Sequence, residues 1–110
     1  MRRPWVIALL LAAATLSGCL GQGADRDRRF REGRRVFVSA GCGGCHTVAS
    51  AHTHGQAGPD FDTSEPLSRA QIRRQLNRGE GGMPSFRGRL TRRQEEAVTE
   101  FVFQTMHRRR

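Results

Sequence analysis

The chain has 110 residues, which is enough for one domain. It carries 19 arginines, no lysine and 10 acidic residues, so its net charge is +9. A small basic chain suggests nucleic acid, an anionic membrane surface or an acidic protein as its partner. The export signal described next argues against nucleic acid, so acidic proteins and anionic lipid headgroups remain.

Residues 1–18 are predicted to be a signal peptide. Arg2 and Arg3 precede an uncharged and mostly apolar run at residues 5–16, shorter than the roughly 20 apolar residues that a membrane-spanning helix needs. The next segment, Leu16-Ser17-Gly18-Cys19, resembles the lipobox of bacterial lipoproteins. That resemblance implies cleavage before Cys19 and lipidation of its thiol. An ordinary signal peptide with an incidental cysteine is the alternative.

Cleavage before Cys19 would leave residues 19–110, with 17 arginines against 10 acidic residues and a net charge of +7. Residues 19–26 are predicted to be a lipidated flexible tether. Residues 27–110 are then the folded domain. A domain of this size buries a small core and often depends on a disulfide, a metal or a cofactor.

The first predicted helix of this domain begins near Asp25 or Asp27, because a carboxylate suits a helix N-terminus. Gly41 is placed to end it. Gly33 lies in the middle of this helix, where glycine costs about 1 kcal/mol relative to alanine. Its presence on the face that carries Phe37 indicates a place where another backbone comes close.

The second and third predicted helices each begin with a capping box. Ser68-x-x-Gln71 starts the second helix, which Gly79 ends, and Thr91-x-x-Gln94 starts the third. The apolar stripe of the third helix is Ala97, Val98, Phe101, Val102 and Thr105. Because no segment alternates with a period of two, the predicted fold class is all-α with about three main helices.

Residues 42–46 read Cys-Gly-Gly-Cys-His, the C-x-x-C-H signature of c-type haem attachment. On a helical turn, residues i, i+3 and i+4 share one side. Cys42 and Cys45 can therefore reach the two haem vinyl groups while His46 reaches the iron. His46 is the predicted axial ligand through one ring nitrogen, and the other ring nitrogen is expected to donate to a backbone carbonyl.

Three haem-free interpretations compete with this one. A zinc site needs a second ligand pair, and the available pair, His52 and His54, has an unusual spacing, so surface positions are expected for both. A thioredoxin-like pair belongs beside a βαβ unit, which is not predicted here. A plain disulfide in an exported protein is the third. A bound haem also accounts for two long irregular spans, 47–66 and 79–89.

With these motifs the chain resembles the monohaem class I cytochromes c over residues 27–106. The matching features are the helix-crossing pair Gly33 and Phe37, the loop Gly58-Pro59-Asp60-Phe61, the Gly-rich loop 79–86 with Met83-Pro84, and Phe101 in the last helix. The resemblance implies the cytochrome c fold around one covalently attached haem c. It also implies Met83 as the second axial ligand of the iron and Pro59 as a residue that shields the haem near His46.

Alternatives to Met83 are Met106 and an iron that is open or ligated by a second histidine. Methionine commonly fills gaps in cores, and Met106 lies late in a helix. One departure from the family is that residues 19–110 contain no Trp or Tyr to bond a haem propionate, because the single Trp is Trp5. The candidates for that role are Arg73, Arg74 and Arg87.

His/Met ligation leaves no iron position open for a substrate and suits electron transfer. The sequence therefore predicts a monomeric electron carrier, not an enzyme, held by its lipid at the extracytoplasmic face of a bacterial membrane, in the periplasm or at the cell surface. Its expected partners are acidic redox proteins such as a respiratory reductase or a terminal oxidase. The alternatives are a haem-based gas or redox sensor, a haem subunit of a larger oxidoreductase, and, more weakly, a haem-free thiol-redox or zinc lipoprotein.

Overall fold

The computed structural model describes the backbone of residues 4–108 and the side chains of residues 21–108. The helices are α1 (Pro4–Ser39), α2 (Arg69–Arg78) and α3 (Arg92–His107), and the strands are β1 (Thr47–Val48) and β2 (Thr53–His54). Two short 3₁₀ turns, Cys42–Gly44 and Ala49–Ala51, lie beside the strands. The all-α prediction is confirmed, with one very small hairpin added to it.

α1 extends further towards the N-terminus than predicted. Residues 21–26, predicted as a tether, are helical, and Asp25 lies inside α1 instead of at its start. The carboxylate of Asp25 pairs with Arg28 and, at 3.3 Å, with Nε of Arg29. Pairs at this spacing support a helix. Asp25 is therefore an interior residue of α1 and not its N-terminal cap.

Two other predictions concern residues whose side chains lie outside the described part of the chain. These are the signal peptide at residues 1–18 and the lipidation of Cys19. Both stay predictions. Among the residues that the structure describes, no helix has the length and apolar character needed to cross a membrane.

The core of the domain is the crossing of α1 and α3. A Cβ atom added to Gly33 would lie 2.0 Å from the carbonyl oxygen of Ala97 and 2.6 Å from Cβ of Phe101, so the close approach predicted at Gly33 is confirmed. The Phe101 ring lies 4.9 Å from that of Phe30 and 5.3 Å from that of Phe37, between centroids. Phe37 and Phe101 are 1% and 0% exposed. Such tilted aromatic pairs add to the energy of apolar burial.

Ion pairs connect the three helices at their surfaces. Arg93 of α3 lies 2.8 Å from Glu32 of α1, and its hydrogen bond lowers the pKa of that carboxyl. Arg69 of α2 lies 2.7 Å from Glu100 of α3. Burial alone would raise the pKa of Glu100, but hydrogen bonds from Arg69 and Gln104 outweigh it and the pKa is lowered. Exposed ion pairs stabilise a fold only weakly, so the aromatic core holds the helices together.

Both predicted capping boxes are present. Oγ of Ser68 accepts from the backbone of Gln71, whose side chain accepts from the Ser68 N–H at 2.9 Å. Thr91 and Gln94 make the same reciprocal pair at the start of α3. Gly79 ends α2 with φ of 62°, in the left-handed region that favours glycine. These local bonds set where the two helices begin and where α2 stops.

The predicted stripe of α3 faces the core. Its members are all buried: Ala97, Val98, Phe101, Val102 and Thr105. Met106 is also buried, at 6% exposed, and belongs to the same apolar cluster. Its burial in this cluster indicates that Met106, near the end of α3, packs in the core.

The hairpin of β1 and β2 was not predicted. Oγ1 of Thr53 accepts from the N–H of Val48 at 3.1 Å and donates to the carbonyl of His46 at 3.0 Å. His52, with φ of 54°, makes the turn between the strands. Strands of only two residues are too short to leave an alternating pattern in the sequence, so periodicity could not find them.

Candidate functional site

Cys42, Cys45 and His46 lie on one tight turn directly after α1. Gly41, with φ of 80°, reverses the chain at the end of the helix. The N–H groups of Cys45 and His46 then both donate to the carbonyl of Cys42, at 3.2 and 3.0 Å. Both cysteines are free thiols, Cys42 half-buried and Cys45 exposed. Burial raises the pKa of the Cys42 thiol.

The ring of His46 is fixed from three directions. Nδ1 lies 2.9 Å from the carbonyl oxygen of Pro59, and because a carbonyl only accepts, Nδ1 carries the proton. The ring stacks on Phe61 with centroids 4.4 Å apart. A Cβ atom on Gly58 would lie 2.4 Å from Cε1 of His46. The lone pair of Nε2 is therefore held in one orientation, as expected for an axial ligand.

Pro59 lies beside His46, and its role in shielding the haem stays a prediction. Its contact with the imidazole is made through the backbone carbonyl. This bond is the one expected from the second ring nitrogen of His46. Phe61, two residues further on, is the stacking partner that sequence reasoning did not assign. The Gly-Pro-x-Phe pattern contained it, but only the folded loop shows which ring it meets.

The loop that carries Met83 is bonded to the end of α2. The N–H of Phe86 donates to the carbonyl of Leu76 at 2.7 Å, and Oγ of Ser85 donates to the carbonyl of Asn77 at 2.7 Å. These two bonds satisfy carbonyls that a helix end otherwise leaves without partners. The loop is therefore attached to α2 just after Met83, at Ser85 and Phe86.

The other side of the loop is held by glycine and by a side chain of α2. A Cβ atom on Gly79 would lie 2.3 Å from the backbone nitrogen of Ser85, so the two arms of the loop touch. Nε2 of Gln75 donates to the carbonyl of Glu80 at 2.9 Å and lies 3.7 Å from Sδ of Met83. Sequence reasoning missed Gln75, because its role depends on a loop folding back over α2.

The thiol, aromatic and thioether groups border one apolar cluster. The partly buried side chains of Cys42, Phe61 and Met83 pack against the same core. α2 contributes Ile72 and Leu76 to that core, both buried. The thiol of Cys42 and the thioether of Met83 lie at this apolar cluster, and the exposed thiol of Cys45 and the oriented imidazole of His46 lie on the turn that carries Cys42. Two thiols, an imidazole and a thioether are the groups that a covalently attached haem requires. The residues present fit such a group.

The remaining candidate residues lie apart from this set. His52 and His54 are exposed in the hairpin, as expected for surface residues. Within the described part of the chain, no group of three or more His, Cys, Asp or Glu side chains is arranged to hold a metal ion. Arg73, Arg74 and Arg87 are exposed, and the ion pairs found among residues 21–108 involve none of them.

Residues 28–102 match the family model described as cytochrome c oxidase, cbb3-type, subunit III. The chain belongs to this family. The crystal structure of the c-type cytochrome SorU from Sinorhizobium meliloti is similar, with 28% sequence identity and a TM-score of 0.63 over 73% of this chain and 93% of that chain. No curated protein matches the chain.

The protein is thus a monohaem class I cytochrome c that binds haem c covalently. The predictions of fold and cofactor are confirmed. The same match makes it an electron-transfer protein and a carrier of electrons instead of an enzyme. Cytochrome c domains of this kind are typically extracytoplasmic, which agrees with the export predicted from the sequence.

Proposed function

We propose that this cytochrome carries single electrons through a haem c held by Cys42 and Cys45, with the iron ligated by His46 and Met83. The observation that carries the proposal is the pairing of two prepared donor groups. His46 has its imidazole fixed by Pro59, and Met83 lies on a loop whose backbone is bonded to the end of α2. When bound, the haem supplies a one-electron couple between ferrous and ferric iron.

The choice of Met83 over Met106 is supported by their surroundings. Met106 is 6% exposed and packs in the core formed by α1 and α3, where moving it would leave a cavity. Met83 is half-buried at the edge of that core, on a loop fixed at both ends. A ligand needs an accessible lone pair and a fixed backbone, and Met83 has both.

With His46 and Met83 as its two protein ligands, the iron would have no position open for a substrate or a gas. This favours a carrier over a haem-based sensor. The roles of the chain are then to orient the imidazole, to hold the thioether and to exclude water from the apolar cluster. A soft thioether ligand favours ferrous iron and raises the reduction potential compared with ligation by two histidines.

The test is Met83→Ala in the haem-loaded protein. We expect the variant to lose the long-wavelength charge-transfer band of ferric Met-ligated haem, to have a lower reduction potential and to bind carbon monoxide when reduced. Covalent haem content should not change. Met106→Leu is the matched control, because it keeps the core volume and should leave the spectrum and potential as they are. Carbon monoxide binding by the wild type, or an unchanged Met83→Ala spectrum, would favour a sensor.

The proposed location is the extracytoplasmic face of a bacterial membrane, where a diacylated Cys19 would hold the protein.

Its proposed partners are acidic redox proteins such as a respiratory reductase or a terminal oxidase. This is supported by the exposed guanidinium groups of Arg73, Arg74 and Arg87, which ion pairs among residues 21–108 leave free. Such charges steer association and are screened over about 8–10 Å at physiological ionic strength. Electron transfer to an acidic redox protein should therefore slow as salt rises.

The family match favours one second candidate, a haem subunit of a larger oxidoreductase, because the family is described by an oxidase subunit. The two candidates differ after mild detergent extraction. A free carrier should migrate as a monomer by size-exclusion chromatography. A subunit should instead migrate with a larger haem-containing assembly.

A further inference from the structure

Most of the net positive charge of the predicted mature chain comes from two segments. Residues 21–35 carry six arginines and three acidic residues, and residues 108–110 are three arginines. Counting side chains, each segment has a net charge of +3, so together they hold +6 of the +7 of residues 19–110. Residues 36–107, which include the haem-attachment motif and the Met83 loop, carry eight arginines and seven acidic residues. The charge excess therefore belongs to segments outside the haem-binding ones.

The first basic segment places a row of arginines on the outward side of α1. The row consists of Arg28, Arg31 and Arg35, which share one helix face because they follow at intervals of three and four residues. The residues of α1 that face the core are Phe30, Gly33 and Phe37. Each arginine of the row comes two residues before one of these, and two residues turn an α-helix by about 200°. The row therefore lies opposite the contact with α3, and all three arginines are exposed.

The protein itself makes little use of these guanidinium groups. The ion pairs found among residues 21–108 include neither Arg31 nor Arg35, while Arg28 contacts Asp25. Three residues after Arg35, Val38 continues the outward face and is 52% exposed. Free guanidinium groups bind phosphate oxygens well. An apolar side chain at the end of the row suits a surface that also offers hydrocarbon.

The second basic segment and the predicted lipid anchor lie close to the first segment. The guanidinium carbon of Arg108 is 3.9 Å from the centroid of the Phe30 ring. Cys19 belongs to α1 and comes nine residues before Arg28. Nine residues of helix span about 14 Å. The row thus begins within about 14 Å, along the helix, of the point where acyl chains would enter the bilayer.

We propose that the row of Arg28, Arg31 and Arg35 is a second membrane contact, which binds the phosphates of anionic lipid headgroups. This inference rests on the proposed membrane location. The closeness of the row to the predicted anchor favours lipid over an acidic protein as its partner. Once acyl chains hold residue 19, the local concentration of headgroups is high, so individually weak contacts combine. α1 then lies along the bilayer surface instead of swinging freely from its anchor.

The experiment measures binding of the haem-loaded Cys19→Ser protein to vesicles by sedimentation, so that no lipid anchor contributes. One set of vesicles is phosphatidylcholine alone, and the other also contains phosphatidylglycerol. We expect binding to the second set only, and we expect added salt to reverse it. An arginine near an anionic surface contributes about fivefold in binding. The pair Arg31→Gln and Arg35→Gln should therefore weaken binding about 25-fold, whereas Arg31→Lys with Arg35→Lys should keep it.

The matched control is the pair Arg73→Gln and Arg74→Gln. It removes the same charge from α2, where both arginines are exposed and take no part in the ion pairs of residues 21–108. Since charges away from the bilayer are screened, this control should change binding by no more than about twofold. Equal weakening by the two glutamine pairs would mean that net charge alone is responsible, and it would overturn the inference.

Two other results would also overturn it. The first is equal binding of the Cys19→Ser protein to both sets of vesicles, or binding to neither. The second is an α1 glutamine pair that slows electron transfer to an acidic redox protein but leaves vesicle binding unchanged, because the row would then be a protein interface. The anchor is tested separately, since an alkaline carbonate wash removes proteins held by charge alone. Retention of Cys19→Ser after that wash would contradict the anchor without bearing on the row.

Discussion

Replacing Gly33 with alanine tests whether the crossing of α1 and α3 is as close as the structure has it. The added Cβ would lie 2.0 Å from the carbonyl oxygen of Ala97, and carbon and oxygen atoms normally approach to about 3.3–3.6 Å. The helices must therefore separate locally by about 1 Å or more. The obstructing atom belongs to the backbone, so it cannot turn aside as a side chain would.

The expected loss follows from two opposing effects. Overpacking costs about 1–3 kcal/mol and sometimes more, and a backbone obstacle favours the upper end. Alanine regains about 1 kcal/mol of helix propensity. We expect a net loss of about 2 kcal/mol or more in the free energy of unfolding, or about 10 °C in Tm for a domain of this size.

The assay is guanidinium and thermal unfolding of the haem-loaded protein, followed by far-ultraviolet circular dichroism. Gly23→Ala is the matched control, because it lies on the same helix with nothing within 4 Å of the added Cβ. That control should be neutral or slightly more stable. If Gly33→Ala were as stable as Gly23→Ala, the close crossing of α1 and α3 would be wrong.

Two further predictions concern the haem side and the membrane anchor. Gly58→Ala should displace the His46 ring, because the new Cβ would lie 2.4 Å from Cε1 of His46. The visible spectrum and the reduction potential should shift as a result. Gly44→Ala, whose new Cβ would have no atom within 4 Å, is the control and should change neither. Cys19→Ser should release the protein from membranes with its haem spectrum intact, since two or more acyl chains anchor stably. Recovery of Cys19→Ser in the membrane fraction after a carbonate wash would contradict lipid anchoring.

Local sequence patterns predicted the parts of the fold that depend on neighbours in the chain. The capping boxes at Ser68 and Thr91 were predictable because each is complete within four residues. Gly33 was predictable because glycine in a helix interior costs stability unless a close contact requires it. The same holds for the C-x-x-C-H motif, whose spacing follows from a single helical turn.

Features that depend on distant parts of the chain were not predictable in this way. The stacking of Phe61 on His46 and the bond of Gln75 to Met83 arise only when a loop returns to a helix. A phenylalanine in a loop and a glutamine in a helix are both common, so neither Phe61 nor Gln75 stands out in the sequence. The predicted start of α1 near Asp25 or Asp27 was wrong for a different and local reason, because the helix continues on the N-terminal side of Asp25, which pairs within it with Arg28 and Arg29.

The structure separates the residues that stabilise the domain from those that set the chemistry of the haem. α1 and α3 meet through Phe30, Phe37 and Phe101, and Phe37 also lies 6.3 Å from Phe61, the ring that stacks on His46. The loop carrying Met83 is instead held mainly by backbone carbonyls at the end of α2. Substitution of Gly33, which contacts Ala97 and Phe101, should therefore change the free energy of unfolding more than the reduction potential. Substitution of Met83 should move the reduction potential without unfolding the helices, because its side chain is only partly buried at the edge of the core.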